Sequence, residues 1–461
     1  AWRLAPAPAL VLKQALALPI IPESTADIAA ARARLGDCLD ALERAGAVIG
    51  DPVREVGQTA FFLAYHAQDD RPLQERLPAF HLGACPDLTF HAPHCRGWQP
   101  PRGRRLRLGL VSQNFHAHTI AKLNHGLLAT LDRDAFETVL FLPQRPPDPW
   151  RDRMIAAAGR TAVLPADLAQ ARAAIAEAEL DILYYPDIGM SVLTYFLAFA
   201  RLAPVQCVGW GHPDTTGIPA LDWFASCAAM EPPAAEAHYT ERLARLPGTT
   251  LRYSRPPPPP PRRRADFGLD EAAHVYLCPQ SLFKIHPDFD GVLAEILGRD
   301  GAGVLVLVNT QGPEIAERLV ARISRAAGRD LRPRIRVLGS LPTDDFRALM
   351  TQADAMLDPL HYSGGNTSLE AFAEGVPIVT WPGAFMRGRH TAGFYALMGW
   401  QELTAPDWQG YVDRALALGR GEAGGARAAI RDRAGVLFDD VASVRAFERF
   451  LGSAAEAAGR P

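Results

Sequence analysis

Residues 104 to 254 alternate between short apolar runs and longer segments in which apolar positions recur at helical spacing. Short apolar runs predict buried strands, and the longer periodic segments predict helices. The first strand is predicted over 105–112, and a polar loop separates it from a helix over 120–131. Further strands are predicted at 136–142, 181–185 and 205–210, and further helices at 150–158, 168–178 and 192–200. This order is typical of a doubly wound parallel sheet.

The same alternation starts again after a proline segment. Consecutive prolines at 256–261 lack amide donors and favour an extended backbone, so residues 255–264 are predicted to be an exposed linker. Beyond it, strands are predicted at 274–278, 303–308, 334–338, 355–358 and 377–380, and helices at 289–297, 314–327, 344–352, 367–374 and 390–398. These elements predict a second doubly wound domain over 265–435, followed by a C-terminal helix over 436–461.

Residues 1–103 predict a small helical region. Ser24 is a good N-cap for an Ala/Arg/Leu-rich run that ends near residue 45, and 58–65 predicts another short helix. The predicted fold class is therefore α/β, with two Rossmann-like domains at 104–254 and 265–435 preceded by a small all-α region. Because the sequence does not begin with Met and opens inside a helix-like stretch, we expect it to be a fragment of a longer chain.

Composition narrows the class of protein. The chain has 461 residues, so more than one hydrophobic core is expected. Lys+Arg number 48 and Asp+Glu 51, which is too balanced for binding nucleic acid by bulk charge. The cysteines are scattered singly, without a zinc-type spacing, and indicate a reducing cytoplasm and no structural metal. No apolar stretch approaches the roughly 20 residues that span a bilayer.

The best-marked candidate for a ligand site is the strand, small-residue loop and helix of residues 357–371. Ligands of such folds bind at the carboxyl ends of parallel strands, so two facing domains predict a cleft between them. Gly364 and Gly365 allow backbone amides to approach a ligand, and the helix that opens near Asn366 offers unpaired N–H groups to a phosphate. Glu370, one turn further, is placed to accept hydrogen bonds from ribose hydroxyls. An ordinary glycine turn capped by Asn366 or Thr367 has the same sequence.

Lys284 is the candidate cation of the second domain. The segment 280–284 follows the first strand of that domain, which places Lys284 at the cleft edge of the sheet. A lysine there can neutralise a pyrophosphate leaving group, although a single lysine after a strand is also a common surface charge. The turn, strand and turn of residues 374–383 return the chain to the same cleft, and the spacing fits a sugar-nucleotide site.

The first domain offers polar residues on the loops that follow its strands. His116 and His118 lie on the first such loop, where a histidine can serve as a general base, serve as a hydrogen-bond donor, or simply be solvated. The loops of residues 181–216 add further candidates, and the glycines at 209 and 211 allow close backbone approach. The candidates on those loops are Asp187, Arg201, His212 and Asp214. Cys207 and Cys278 are predicted to be small core residues.

Taken in order, several of these segments resemble the O-GlcNAc transferase and SPINDLY-type family of glycosyltransferases, also termed family 41, over residues 104 to 450. That family has two Rossmann domains arranged as in GT-B enzymes, and the resemblance implies this fold here. The segments that carry the resemblance are 109–112 with His118, 201–206, 209–217, Lys284, 339–342, 364–370 and 379–383.

The resemblance implies an inverting, metal-independent transfer of a sugar from a UDP-sugar to a protein side chain, with no cofactor and with a protein or peptide acceptor. Lys284 would bind the diphosphate, Glu370 the ribose, and Leu341 and Phe346 the base. His118 would receive or orient the acceptor proton, with His212 and Asp214 as alternates. The implied nucleotide-sugar site comprises Gln280, Ser281, Lys284, Leu341, Phe346, Gly364, Gly365, Asn366, Thr367, Ser368 and Glu370. The implied acceptor and sugar side comprises Asp187, Arg201, Gly211, His212, Pro213, Asp214 and His361.

The sequence also departs from the family pattern. The segment Gly211-His-Pro-Asp-Thr replaces the Gly-Tyr-Pro-Gly-Thr of O-GlcNAc transferases and is more similar to the bacterial adhesin N-glucosyltransferases of the same family. Asn114 stands where the family has an acid, and Gly365 removes one side-chain contact to the donor. The donor is therefore left open between UDP-GlcNAc and UDP-glucose, and the acceptor between Ser/Thr and Asn. Alternatives are a GDP-fucose-dependent protein O-fucosyltransferase, a lipid or glycan transferase, a sugar-nucleotide 2-epimerase, and a non-catalytic sugar-nucleotide scaffold.

Overall fold

A computed structural model describes residues 7–459 of the chain. The N-terminal region is helical. Ser24 caps its longest helix, since the Ser24 hydroxyl accepts a hydrogen bond from the Asp27 amide at 3.2 Å. The segment predicted as a helix over 58–65 is a shorter 3₁₀ turn, Phe61–Tyr65. The α-helices of this region are α1 (Pro8–Leu16), α2 (Thr25–Arg44), α3 (Pro52–Glu55) and α4 (Arg71–Ala84).

The first α/β unit is a seven-stranded parallel sheet in the order β3-β2-β1-β4-β5-β6-β7. Its elements are β1 (Leu106–Val111), α5 (Thr119–Thr130), β2 (Phe136–Pro143), α6 (Pro149–Ala157), β3 (Arg160–Leu164), α7 (Leu168–Ala176), β4 (Ile182–Tyr185), α8 (Val192–Leu197), β5 (Val205–Gly209), β6 (Trp223–Cys227) and β7 (Arg242–Leu246). The sequence pattern missed β3, β6 and β7. The first two residues of β3 are exposed and β7 carries two arginines, so neither shows an apolar run.

The second α/β unit is a five-stranded parallel sheet in the order β10-β9-β8-β11-β12. Its elements are β8 (His274–Cys278), α9 (Pro287–Arg299), β9 (Gly303–Val308), α10 (Pro313–Ala326), β10 (Ile335–Leu338), α11 (Thr343–Gln352), β11 (Ala355–Leu357), α12 (Asn366–Ala373), β12 (Ile378–Val379), α13 (His390–Leu397), α14 (Trp408–Gly419) and α15 (Ala426–Arg433). Met356 of β11 pairs with Leu277 of β8, so the loops that follow these two strands lie side by side.

The last helix, α16 (Val441–Ala458), returns to the first sheet. Its apolar residues Val444, Phe447 and Leu451 are buried in the same core as Leu108 of β1. The Phe447 ring lies 5.2 Å from that of Tyr184 on β4. The chain therefore passes between the two α/β units twice, once through residues 255–264 and once ahead of α16.

The proline segment between the units has no helix or strand. Hydrogen bonds from arginine side chains hold it to the second unit. The Arg255 guanidinium donates to the Ala373 carbonyl at 2.8 Å, and Arg347 donates to the Pro257 carbonyl at 2.5 Å. Among the helices of residues 7–459, none is long and apolar enough to cross a bilayer.

Candidate donor site in the cleft

A cavity of about 380 Å³ lies between the two α/β units, where the carboxyl ends of both sheets face each other. We name it the candidate donor cavity, or donor cavity for short. Its walls come from both units. The residues predicted for the site that line it are Gln280, Ser281, Lys284, Leu341, Phe346, Gly365, Asn366, Thr367 and Glu370 from the second unit, with Gly211 and Pro213 from the first.

Lys284 is the cation of this cavity. Its Nζ donates to Gln280 Oε1 at 2.8 Å and lies 4.8 Å from the centre of the Tyr362 ring, a cation–π contact. Burial lowers the pKa of Lys284 to about 8. The side chain therefore remains mainly protonated at neutral pH, with only neutral groups of Gln280 and Tyr362 in these contacts. An anion in the cavity would meet an available positive charge.

The start of α12 forms the floor beside Lys284. Gly365 is the N-cap and has no side chain, so no side chain caps the helix. The side chain of the next residue, Asn366, accepts from the Tyr253 hydroxyl at 2.8 Å. An added Cβ at Gly364 would lie 2.5 Å from Ser368 Oγ and 2.6 Å from Gln280 Nε2, so the loop has no room for a side chain there. The first amides of α12 are thus left for a ligand such as a phosphate.

Asp358 holds this loop in place, a role that the sequence analysis missed. Its carboxylate accepts from the Ser363 hydroxyl at 2.5 Å, the Gly364 amide at 2.8 Å and the Thr380 hydroxyl at 2.8 Å. Ser368 is fully buried behind the loop, where its hydroxyl lies 2.8 Å from Thr391 Oγ1. The Ser368 side chain supports the loop and does not line the cavity. The backbone of Gly364 also supports the loop and does not line the cavity.

Glu370 is already paired across the cleft. Its Oε1 lies 3.1 Å from Nζ of Lys122, which projects from α5 of the first unit. The pair is shielded, with 20% of the Lys122 side chain and 5% of the Glu370 side chain exposed. Lys122 lines the same cavity, so it is a second cation of the site that the sequence analysis did not identify.

His118 caps α5 rather than facing the cavity directly. Its Nδ1 accepts a hydrogen bond from the Ile120 amide at 3.2 Å, and burial lowers its pKa to about 4. The ring is therefore neutral at pH 7, with its proton on Nε2. Of the roles predicted for this loop histidine, the geometry favours that of hydrogen-bond donor, because the nitrogen that would take up a proton is already occupied.

Asp187 lies outside the cavity lining, behind the loop that follows β1. It is buried and accepts from the Ser112 hydroxyl at 2.8 Å and the Asn114 side-chain amide at 2.6 Å. Burial raises the pKa of Asp187 to about 6. The predicted role on the sugar side is corrected to a structural one, since both hydrogen bonds fix the loop that leads to His118.

His212 and Asp214, the alternates for proton transfer, are both buried beside the cavity instead of lining it. The His212 ring stacks on Phe61 at 5.1 Å, and burial lowers its pKa to about 3. Asp214 lies 3.3 Å from the Arg387 guanidinium, which also lies 2.9 Å from Asp70. Arg387 thereby joins all three regions of the fold, and Asp214 is occupied in that junction.

Arg201 is at the wrong edge of the sheet for the predicted role. It precedes β5, whereas the cavity lies at the carboxyl ends of the strands. There it forms a two-point ion pair with Asp222, at 2.6 and 3.1 Å. Asp222 also accepts from the Gln206 amide at 2.8 Å, so the motif that contains Arg201 maintains the entry to β5 and β6.

His361 does not line the donor cavity either. Its Nε2 lies 2.9 Å from Asp288 Oδ2, and its ring borders a second cavity of about 230 Å³ between the N-terminal region and the loop after β12. The neighbouring Tyr362 lines the donor cavity. The loop that follows β11 therefore separates the two cavities.

His390 is a further cavity residue that the sequence analysis missed. Only 2% of it is exposed, its ring lies 5.1 Å from that of Trp210, and burial lowers its pKa to about 3. Neither ring nitrogen has a hydrogen-bond partner among residues 7–459. No motif marks this histidine, since it is simply the first residue of the helix predicted at 390–398.

Comparison with known proteins agrees with the fold and with the family resemblance. Residues 261–438 match the family described as Glycosyl transferase family 41. The chain is 26% identical over 336 residues to a probable UDP-N-acetylglucosamine--peptide N-acetylglucosaminyltransferase SPINDLY of Solanum lycopersicum, covering 68% of this chain and 34% of that protein. It is 27% identical over 243 residues to a UDP-glucose:protein N-beta-glucosyltransferase of Actinobacillus pleuropneumoniae, covering 51% of this chain and 38% of that protein.

A solved structure extends the likeness over the whole fold. A mutant of the Thermobaculum terrenum O-GlcNAc transferase superposes with a TM-score of 0.75 at 27% identity, covering 98% of this chain and 87% of that one. The resemblance to the O-GlcNAc transferase and SPINDLY-type family is confirmed, and so is the α/β fold of the GT-B type. The chain spans about a third of the length of the SPINDLY relatives that it matches.

Proposed function

We propose that this chain carries the catalytic unit of a protein glycosyltransferase that moves a sugar from a UDP-sugar to a side chain of a protein or peptide in the cytoplasm. The observation that supports this proposal most directly is the content of the cleft. Lys284, the uncapped start of α12 and Glu370 line one cavity, within the segment that matches family 41.

The cavity has the charges that a departing nucleoside diphosphate requires. Lys284 supplies a positive charge, and the free amides at the start of α12 supply oriented dipoles. Together these groups can stabilise the leaving diphosphate without a metal ion, so we propose metal-independent transfer with no cofactor. Glu370 is one helical turn from the phosphate-binding amides, a suitable distance for ribose hydroxyls.

We further propose that the transfer inverts the anomeric centre by a single displacement. The acceptor atom would enter from the first unit, opposite the diphosphate, and its bond to the anomeric carbon would form as the bond from that carbon to the diphosphate oxygen breaks. The proton of the acceptor would pass to an oxygen of the departing diphosphate, because His118 and His390 both act as hydrogen-bond donors in this proposal. His118 would donate its Nε2 proton in a hydrogen bond to the donor or acceptor. His390, a buried histidine whose ring nitrogens have no partner among the described residues, would donate a second one near Lys284.

The donor sugar is GlcNAc or glucose in this proposal, and the acceptor a Ser/Thr or Asn side chain. The test is to incubate the chain with labelled UDP-GlcNAc, UDP-glucose or GDP-fucose and a cell lysate, and to map the modified residue by mass spectrometry. We expect transfer from one of the UDP-sugars. Transfer from GDP-fucose alone would instead identify a protein O-fucosyltransferase.

The leaving-group role is tested with Lys284→Ala. Loss of a charged hydrogen bond to the diphosphate costs about 1.5–3 kcal/mol, so we expect UDP affinity to fall at least about tenfold and transfer to be abolished. Lys13→Ala, an exposed lysine of α1, is the matched control and should behave as the unmodified chain. Near-normal turnover by folded Lys284→Ala would contradict the role, and UDP binding with no transfer from any donor would indicate a non-catalytic scaffold.

A further inference from the structure

A group of two histidines and one carboxylate lies beside the donor cavity and takes no part in the proposed transfer. His286 and Asp288 flank the proline that begins α9, and His361 comes from the loop after β11. One ligand atom from each side chain lies within 4.8 Å of the other two, and no second group of this kind is found among residues 7–459.

The three possible ligand atoms of this group are nearly as close together as ligand atoms bound to one metal ion. Asp288 Oδ2 lies 2.9 Å from His361 Nε2 and 3.3 Å from His286 Nδ1, and the two imidazole rings are nearly perpendicular, at 84°. Zinc bonds to nitrogen and oxygen are about 2.0–2.2 Å long, so two tetrahedral ligand atoms are about 3.4 Å apart. Small side-chain movements would therefore bring all three atoms to one ion.

The Asp288 carboxylate lies between the two histidine rings. His286 Nδ1 accepts from the Asp288 amide at 3.2 Å and lies 3.3 Å from Asp288 Oδ2, so an ion bound through Nδ1 would take the place of that amide hydrogen bond. His286 is 4% exposed, and its Nε2 has no partner in the described part of the chain, so the ring has little freedom to turn toward water.

We propose that His286, Asp288 and His361 form a binding site for a divalent transition metal such as Zn²⁺, with a fourth position open to water. Two imidazoles and one carboxylate are a ligand set that Zn²⁺ uses, with the remaining position taken by solvent. Asp288 and His361 keep 48% and 30% of their side chains exposed, which gives the ion a path from solution.

This site is separate from the proposed chemistry and does not rest on it. His361 borders the second cavity, whereas the adjacent Tyr362 lines the donor cavity and contacts Lys284. A metal held by His361 would hold the loop to the start of α9.

The test is a titration of chelator-treated full chain with Zn²⁺ in competition with a chromophoric chelator. We expect one Zn²⁺ per chain, bound at least tenfold more tightly than by His361→Ala or Asp288→Asn. His274→Ala is the matched control, because His274 forms a histidine–carboxylate pair with Asp300 at 2.7 Å outside any group of three and its loss should leave Zn²⁺ affinity unchanged. Circular dichroism of each variant checks that it is folded.

X-ray absorption of the zinc-loaded chain identifies the ligands. We expect nitrogen and oxygen neighbours near 2.0–2.2 Å and the outer-shell signal of imidazole. The proposal is overturned if the unmodified chain and His361→Ala bind Zn²⁺ equally, or if a sulfur shell near 2.3 Å is present. It is also overturned if Cys95→Ser removes the binding, since Cys95 Sγ lies 3.7 Å from His94 Nε2 and offers a competing site.

Discussion

The two walls of the cleft use their polar residues in different ways. In the second unit, the Lys284 side chain and the first residues of α12 line the cavity. The charge of Lys284 and the amides of α12 are available there to a ligand. In the first unit, Asp187 and Asp214 lie one layer behind the cavity and are occupied by neighbouring groups. The second wall therefore leaves its charge and amides available to a ligand. In the first wall, Lys122 reaches the cavity but is paired with Glu370, and the two carboxylates hold the loops in position.

The difference follows from the cost of burying a polar group. A buried carboxylate needs partners, and those of Asp187 and Asp214 are supplied by the protein itself. Lys284 donates only to the neutral Gln280 Oε1, and neither ring nitrogen of His390 has a partner among the described residues, so a ligand would complete their hydrogen bonding. An incompletely satisfied polar group is therefore a better guide to the binding surface than its residue type.

The largest effect is expected at the junction of the three regions. Arg387→Met removes the guanidinium that lies between Asp70 and Asp214, which leaves Asp214 without its cation and Asp70 with Arg32 alone. Breaking a buried pair in this way costs about 3–5 kcal/mol, so the urea midpoint should fall sharply. Arg245→Met, which loses a partly exposed pair with Glu236, is the control and should change stability by less than about 1 kcal/mol. Equal midpoints for the two variants would contradict the structural role of the first wall.

Two glycines that line the same cavity are expected to differ. A Cβ at Gly211 would clash with the Pro186 carbonyl oxygen, whereas one at Gly365 would have only Trp210 near it, at 3.6 Å. Gly211→Ala should therefore destabilise the chain by about 1–3 kcal/mol. Gly365→Ala should leave unfolding nearly unchanged while weakening UDP binding. Urea unfolding measures the loss of stability, and calorimetry measures UDP affinity. A larger loss of stability in Gly365→Ala than in Gly211→Ala would contradict the comparison.

The available charge of Lys284 should make nucleotide binding depend on pH. Because its pKa is lowered to about 8, the side chain is protonated below that pH and neutral above it. UDP affinity should be flat from about pH 6.5 to pH 7 and fall as pH rises through 8, by up to about tenfold at pH 9. Calorimetry at constant ionic strength measures this. Lys284→Arg keeps its charge throughout, so a fall of the same size in that variant would show that another group is responsible.

The smallest effect separates the two functions of His118. His118→Ala removes the cap of α5 and should cost about 1 kcal/mol of stability, whereas His118→Asn can replace the cap with an amide oxygen and should cost less. If the Nε2 proton is used in transfer, neither variant should restore turnover. Full turnover by His118→Asn would mean that this histidine acts only as a cap.

Much of the fold could be predicted from the sequence, because a parallel strand that is buried on both faces gives a clear apolar run. β1, β8 and β9 are of this kind. β3 and β7 were missed because their residues are exposed or alternate with arginine. The packing of α16 on the first sheet leaves no local signal, since Phe447 and Tyr184 are brought together only by the folded chain.

The candidate site divides in the same way. The second wall could be predicted because its glycines, its lysine and the start of α12 follow strands directly. The local sequence is therefore enough to place these residues at the cleft edge of the sheet. In the first wall, Gly211 and Pro213 line the cavity as predicted, but the charged candidates do not, because the partners that occupy them are distant in the sequence. Asp214 and Arg387 are 173 residues apart, and no pattern near Asp214 shows that a guanidinium will meet it. His390 was missed because a single histidine at a helix start resembles any other.

The return of α16 to the first sheet has a mechanical consequence for the cleft. Two covalent crossings join the two units, so neither unit can move away from the other further than both connections allow. Shortening α16 would remove apolar side chains such as Phe447 from the first core and release the second crossing from the first sheet. Such a truncation would loosen the cleft from a point far from the cavity.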